Sequence, residues 1–364
     1  MKKSLFYSLI FLFAAQMQAQ EVIFDRNKFA ESKRYVAHKT ESPLIIDGKD
    51  DDPAWQSAQF TDNFIEIQGE IIPKFDTRVK MLWDEDYFYI YAIMDEEHIW
   101  GTLTDHDAII FHDNDFEVFI DPEGDGRNYS ELEINALNTT WDLMLDRPYR
   151  LGGKANDFFE FEGLQSAVYI NGTLNDPSDV DEYWSVELAI PMESILLAKH
   201  TRKKYPSDKD IWRVNFSRVE WNHSIRDGKY ERKKVNGRLA AEMNWVWSPQ
   251  GEINMHIPEL WGHVQFSTEA PNSFVTFEAD EDEVTRQVAY QLFRRFKFAQ
   301  PVQFTNIGVG NTTYMPPFSV QNQDFNVTYF KTAHGFDLLV NNLTYGKKFI
   351  IDETGELKPY RGPL

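Results

Sequence analysis

Cysteine is absent from all 364 residues. That excludes a disulfide framework, a thiol nucleophile and a thiol-borne lipid anchor. A Gly-x-Ser-x-Gly elbow and a glycine-rich phosphate loop are also missing, which removes the familiar serine-nucleophile and nucleotide-binding motifs. Basic charge is scarce: 37 Lys and Arg stand against 58 Asp and Glu, for a formal net charge of −21. A field of that sign repels phosphate backbones and anionic lipid. It argues against nucleic acid and membrane partners, keeps neutral or cationic ligands open, and says nothing of protein partners. No apolar run reaches the about 20 residues that a bilayer span needs, which argues against membrane insertion.

What is present begins with Met1 to Ala19, where Lys2 and Lys3 precede an apolar run from Leu5 to Ala15 and Ala19 stands before Gln20. This is the three-part pattern of a secretory signal. It predicts a signal peptide over 1–19, cleavage near Ala19, and an exported protein that is periplasmic or secreted. Residues 20–35 read as a polar N-terminal arm. Beyond them, a hydrophobic content of 42% with 15% aromatics is ample for a packed core, so disorder is not the default state.

From 36 to 267, short alternating or aromatic-rich runs are separated by turn signals, as in "DFEVFIDPEGDGRNYSELEINAL", "YWSVELAIP" and "IWRVNFSRVEW". This spacing predicts an all-β sandwich or barrel. The character changes over 268–364. In "ADEDEVTRQVAYQLFRRFKFAQ", Val284, Val288, Leu292 and Phe296 recur four apart, with acids at the front, which predicts one amphipathic helix. The runs "DFNVTYFKTA", "GFDLLVNNL" and "KKFIIDETGEL" then read as a small β-meander, so the extension is α+β.

Acids crowd the stretch 113–150, and three chemistries compete for them. Asp121, Glu123, Asp125 and Gly126 match the first half of a calcium loop, but the closing position is Leu132. An irregular calcium site could draw on Asp113, Asp115 or Asp121; a plain hairpin turn with a left-handed residue at "DG" is the simpler reading. Glycoside hydrolysis would need two carboxyl groups about 5 to 10 Å apart, one of them protonated. Strand parity puts Glu131, Glu133 and Asn135 on one face and Glu117 with Asp121 on one face of the preceding strand, which offers Glu117 with Glu131 or Glu133 as the pair. Alternating acids are, however, more often the wet side of a sheet. Histidines 98, 106 and 112 have no zinc-motif spacing and read as ordinary loop histidines.

Of the ten tryptophans, Trp55, Trp83, Trp184 and Trp212 lie in strand-like apolar contexts and read as core. Trp100, Trp141, Trp221, Trp245, Trp247 and Trp261 lie near polar residues and turns, where an indole can face the C–H side of a sugar ring. If Trp212, Val214 and Phe216 face the core, the same parity turns Arg218 and Glu220 inward. A buried guanidinium needs a carboxylate, for which Glu131 or Glu133 is available, or a ligand.

The successive blocks "LIIDGKDDDPAWQSA", "VKMLWDEDYFYIYAIMDE", "NDFEVFIDP", "YSELEINALNTTWDLML", "YWSVELAIPMESI", "WRVNFSRVEW" and "NWVWSPQGEINMHIPELWGHVQFS" resemble, in order, those of the carbohydrate-binding module family 9-like proteins. The resemblance implies an immunoglobulin-like or DOMON-like β-sandwich and a carbohydrate ligand held between aromatic faces, with charged and amide side chains reading the hydroxyls. No cofactor is required, and structural calcium, known in some members, stays open. On that basis Trp100, Trp141 and Trp221 are the candidate platforms, and Glu131, Glu133, Asn135, Arg147 and Arg218 the candidate polar contacts. Family modules usually accompany a glycosidase domain, and the segment after Ser267 is too short for the usual barrel of about 250 residues. Two alternatives follow. One is a glycoside hydrolase using Glu117, Glu131 or Glu133. The other is a haem-binding electron-transfer domain, since related DOMON sandwiches use Met and His ligands, with Met94 and His98 or Met255 and His256 in those roles here.

Overall fold

A computed structural model describes residues 32–42, 44–197, 199, 203–271, 273–278, 280–299 and 301–362. The expected signal peptide and most of the expected arm lie outside these residues. The chain divides into two compact units, Ser32–Glu278 and a smaller one containing Ala279–Leu364. Among the described residues no helix is long and apolar enough to cross a membrane.

The larger unit is an all-β sandwich. Its longer strands are β1 (Arg34–Lys39), β2 (Thr77–Trp83), β3 (Tyr87–Asp95), β4 (Asp115–Asp121), β5 (Tyr129–Asn135), β6 (Thr140–Leu145), β7 (Gln165–Asn171), β8 (Tyr183–Pro191), β9 (Ile211–Glu220), β10 (Met243–Val246) and β11 (Gly262–Ser267). They hydrogen-bond in the order β6-β5-β4-β9-β11-β1-β2-β3-β8-β7, with β10 branching from β9. Every neighbour is antiparallel except β1, which runs parallel to both β11 and β2 and so joins the two halves.

The halves face each other across one apolar core. Phe88 of β3 packs at 6.1 Å from Trp212 of β9 and 5.7 Å from Phe266 of β11, strands that are not hydrogen-bonded neighbours. Alternation in the sequence supplies that core: Phe116, Val118 and Ile120 from β4, Leu132 and Ile134 from β5, and Trp212, Val214 and Phe216 from β9 all belong to it. Full burial of each such side chain contributes about 1.5–3 kcal/mol. Trp55, Trp83, Trp184 and Trp212 are buried, as expected of core indoles. Trp55 also ties the short helix α1 (Pro53–Ser57) to β8, its Nε1 donating to Glu187 at 2.8 Å.

The smaller unit has a helix on a meander. Helix α2 (Glu283–Arg294) buries Val288, Ala289, Leu292 and Phe293 and continues into a π-helical turn holding Phe296. Five antiparallel strands follow in sequence order: β12 (Thr312–Val320), β13 (Gln323–Lys331), β14 (Phe336–Asn342), β15 (Lys347–Asp352) and β16 (Leu357–Pro359). Pro316 and Pro317 fall at the register shift of β12, an edge strand, where a missing N–H is tolerated.

Candidate functional site

The second face of the acid hairpin is the starting point. With Phe116, Val118 and Ile120 turned to the core, Asp115, Glu117, Phe119 and Asp121 point the other way. The register sets Glu117 opposite Glu133, Phe119 opposite Glu131, and Glu133 opposite Trp141. Directly opposed residues share a face, so Glu117, Glu133 and Trp141 form a row across β4, β5 and β6. A cleft of about 250 Å³ opens over this row. Glu117, Glu131 and Glu133 line it beside the aromatic surfaces of Phe111, Trp141 and Tyr149; Glu242, Asn244, Asn254 and His256 come from β10, its approach and the loop after it. Trp141 is half-buried and Tyr149 exposed, so both rings can meet a ligand.

The acids do not lie on a wet face. Asp115, Glu117, Glu131 and Glu133 are all at most 5% exposed, because the 242–256 segment and Tyr149 cover them. Oxygens of Asp115, Glu117 and Glu133 lie within 4.8 Å of one another. Two backbone amides reach the group: Val219 donates to Asp115 Oδ1 at 3.3 Å and Phe111 to Glu133 Oε2 at 2.8 Å. Asp115 Oδ2 and Glu131 Oε2 are buried and accept no hydrogen bond among the described residues. Burial, then mutual repulsion, raises Asp115, Glu131 and Glu133 well above the carboxylate range, and burial pushes Glu117 up to about 7. Raised in this way, the carboxyls keep their protons to higher pH than ordinary ones, and a protonated carboxyl donates as well as accepts hydrogen bonds. On the opposite wall, burial and then Arg150 lower His256 to about 4, and its Nδ1 lies 2.9 Å from the Tyr129 hydroxyl.

Only some of the expected contact residues meet here. Trp141, Glu131 and Glu133 line the cleft, as does Glu117 from the hydrolase alternative. Trp100 and Trp221 do not; both are buried, Trp100 stacked on Tyr230 and Trp221 donating its N–H to the Phe111 carbonyl at 2.8 Å. Packing uses their faces, as it does those of the buried Trp245, Trp247 and Trp261. Asn135 organises a turn instead, accepting from the amides of Leu137 and Thr139 at 3.0 Å each and donating to Leu103 O. Arg147 pairs with Asp146 at 3.3 Å.

Arg218 is turned inward, as parity required, and is fully buried. Its partners are not Glu131 or Glu133 but Glu96 at 2.8 Å and Glu220 at 2.9 Å, with further bonds to Asp95 O and Thr77 Oγ1. The correction has a simple cause. Arg218 shares the core-side parity of Phe216, whereas Glu131 and Glu133 face the cleft on the other side of the sheet.

The acids considered for calcium are dispersed among other tasks. Asp113 accepts from Thr102 N, Thr102 Oγ1, Leu103 N and Asn135 Nδ2, which saturates it. Asp121 caps the hairpin turn, accepting from Gly124 N and Gly126 N, and lies 3.5 Å from Lys199. Gly126, with φ of 72°, supplies the left-handed residue. Among the described residues, only Asp115 of these three joins a cluster of potential ligand atoms, with Glu117 and Glu133. Among the described residues no cluster of potential ligand atoms brings Asp113 or Asp121 together with other acids. Of the haem candidates, Met94 belongs to the sandwich core and His98 lies beside Tyr230 at 3.0 Å, while Met255 and His256 line the cleft.

Among the cleft residues, Tyr149, Glu242, Asn244 and Asn254 are missing from the sequence reading, and His256 entered it only as a haem candidate. Tyr149 stood inside the acid stretch and could have been noticed; the others are far apart in sequence from the acids they face.

Fold and cleft together define a β-sandwich with an aromatic and carboxyl-lined depression on one sheet face. Residues 46–204 match the profile described as "carbohydrate family 9 binding domain-like". No curated protein matches the chain. Solved structures that resemble it include a Bacteroides uniformis protein for which carbohydrate binding has been proposed (14% identity, TM-score 0.48, 65% of this chain and 100% of that one). Two more are a carbohydrate-binding module family 9 of Caldicellulosiruptor kristjanssonii with cellotriose (16%, 0.41, 68% and 100%) and with glucose (16%, 0.42, 67% and 100%).

Proposed function

We propose that this is an exported carbohydrate-binding protein, taking part in recognition and breakdown of a polysaccharide or oligosaccharide, with the sugar seated in the cleft against Trp141 and Tyr149. The observation that carries the reading is the juxtaposition of those two rings with the buried acid cluster and Asn244. An aromatic face takes the C–H side of a sugar ring, and carboxyl groups and amides take its hydroxyls. The small volume suits one or two rings, such as a chain end, and the net negative charge favours neutral glycans over acidic ones. No cofactor is needed for such binding. Calorimetric titration of a saccharide panel that includes glucose and cellotriose tests it. Saturable heat is expected for at least one neutral sugar, at least tenfold weaker in Trp141→Ala, equivalent to about 1.4 kcal/mol. A silent panel, or heat indifferent to Trp141→Ala, would defeat the proposal.

Export is supported by the N-terminal pattern of two lysines, an apolar run and Ala19. Sequencing the N-terminus of protein recovered from the periplasm or medium should find cleavage near Ala19; intact Met1 in the cytoplasm would refute it.

A further inference from the structure

On the edge of the sandwich, outside the cleft, the 105–107 loop, β6 and the 157–161 loop bring together His106, Asp107, Asp142 and Glu160. All four offer a ligand atom within 4.8 Å of the others. Asp142 alternates with Trp141 and Leu143 along β6, so its side chain leaves the sheet on the face opposite the cleft residues. His106 Nδ1 lies 3.0 Å from the Thr140 carbonyl, which can only accept, so Nδ1 carries the proton in that hydrogen bond. Nε2, the other ring position, is within hydrogen-bond reach of Glu160 Oε2. It is aimed at three carboxylates: Glu160 Oε2 at 3.1 Å, Asp107 Oδ1 at 3.4 Å and Asp142 Oδ1 at 3.9 Å.

A lone pair facing three carboxylates is unfavourable, and it is relieved either by a proton on Nε2 donated to Glu160 or by a cation between the ligand atoms. A second, independent feature points to the cation: Asp142 is 1% exposed, and its Oδ1 accepts no hydrogen bond, whereas Oδ2 takes the Phe161 amide at 2.5 Å. An orphaned buried carboxylate oxygen directed into such a group is expected to have a partner. The tautomer fixed by a backbone carbonyl is also the arrangement that orients a histidine for metal ligation through its other nitrogen.

We propose that His106 Nε2 with the carboxylates of Asp107, Asp142 and Glu160 forms a binding site for a divalent first-row transition-metal ion such as zinc or manganese. One imidazole with three carboxylates suits such an ion better than calcium, which takes oxygen ligands almost exclusively. The bound ion fastens the two loops to β6. One of them carries Phe159 and Phe161, which belong to the sandwich core, so occupancy stabilises the sandwich.

The test is calorimetric titration of chelator-treated full-length protein with zinc chloride, manganese chloride and calcium chloride, followed by thermal melts with and without each metal. One zinc or manganese ion should bind per chain, at least tenfold more tightly than calcium, and should raise the melting temperature. His106→Gln should weaken binding at least 100-fold, and Glu160→Gln, at an exposed position that leaves the fold intact, at least tenfold. Both should lose the metal-dependent rise in melting temperature. Absence of binding by the wild type would mean that a proton on His106 balances the carboxylates and would overturn the site. Binding that survives both substitutions, or that prefers calcium, would overturn it equally.

Discussion

At the scale of single residues, Glu117 and Arg218 show opposite solutions to a buried charge. Among the described residues Glu117 has no cation paired with it, and burial pushes it up to about 7 from an ordinary 4.5. A raised carboxyl stabilises the fold below about pH 4.5 and loses that contribution as the pH rises through about 7. Stability should therefore fall between about pH 5 and pH 8, by on the order of 3 kcal/mol from a shift of this size. Glu117→Gln, which carries no titrating proton, should flatten that slope in urea unfolding at several pH values and be the more stable form at pH 8. A slope unchanged by the substitution would place the titration elsewhere. Arg218 instead keeps its charge and satisfies it with Glu96, Glu220 and the Asp95 carbonyl, beneath the ring of Trp245 at 5.0 Å. Removing it strands two buried carboxyl groups, so Arg218→Ala should cost about 3–5 kcal/mol in the same assay. A cost under about 1 kcal/mol would mean that the glutamates simply take up protons.

At the scale of elements, what the sequence disclosed follows from how a strand is read. In "DFEVFID" and "WRVNFSR" the core imposes a period of two, so β4 and β9, the inward turn of Arg218 and the common face of Glu117, Glu131 and Glu133 were all legible. Parity cannot say what covers the second face of a sheet. The acids looked solvated because their cover, residues 242–256, has no periodicity and is held by remote bonds, such as Gln250 N to Ile67 O at 2.8 Å. Arg218's partner Glu96 was hidden for the same reason, lying 122 positions away. Trp100 and Trp221 were misleading because a polar sequence neighbourhood does not prevent an indole from being packed. The join between β9 and β11 offers an element-scale test. A Cβ on Gly262, at the start of β11, would come within 2.3 Å of the Trp247 ring, which is itself core. Gly262→Ala should therefore cost about 1–3 kcal/mol through overpacking. A substitution neutral in thermal melts would show that Trp247 can yield its place.

At the scale of the whole molecule, the two units divide the work. Every cleft residue lies between Ile67 and His256, inside Ser32–Glu278, and the helix and meander of the other unit have their own apolar set, with Phe296 packed on Phe304, Tyr329 and Phe336. Among the described residues, no strand of the thirteen-stranded sheet comes from beyond Ser267, and the five-stranded meander takes none from the sandwich. A unit with a complete hydrogen-bonded sheet and a core of its own is a candidate for independent folding. A fragment ending at Glu278 should accordingly show the full β-sheet circular dichroism of the sandwich and bind the same saccharide within about threefold of the full chain, a difference under about 0.7 kcal/mol. Soluble, folded fragment that has lost binding would assign residues 279–364 a direct part in the ligand site. Fragment that fails to fold would show that the sandwich draws stability from the smaller unit despite sharing no strand with it.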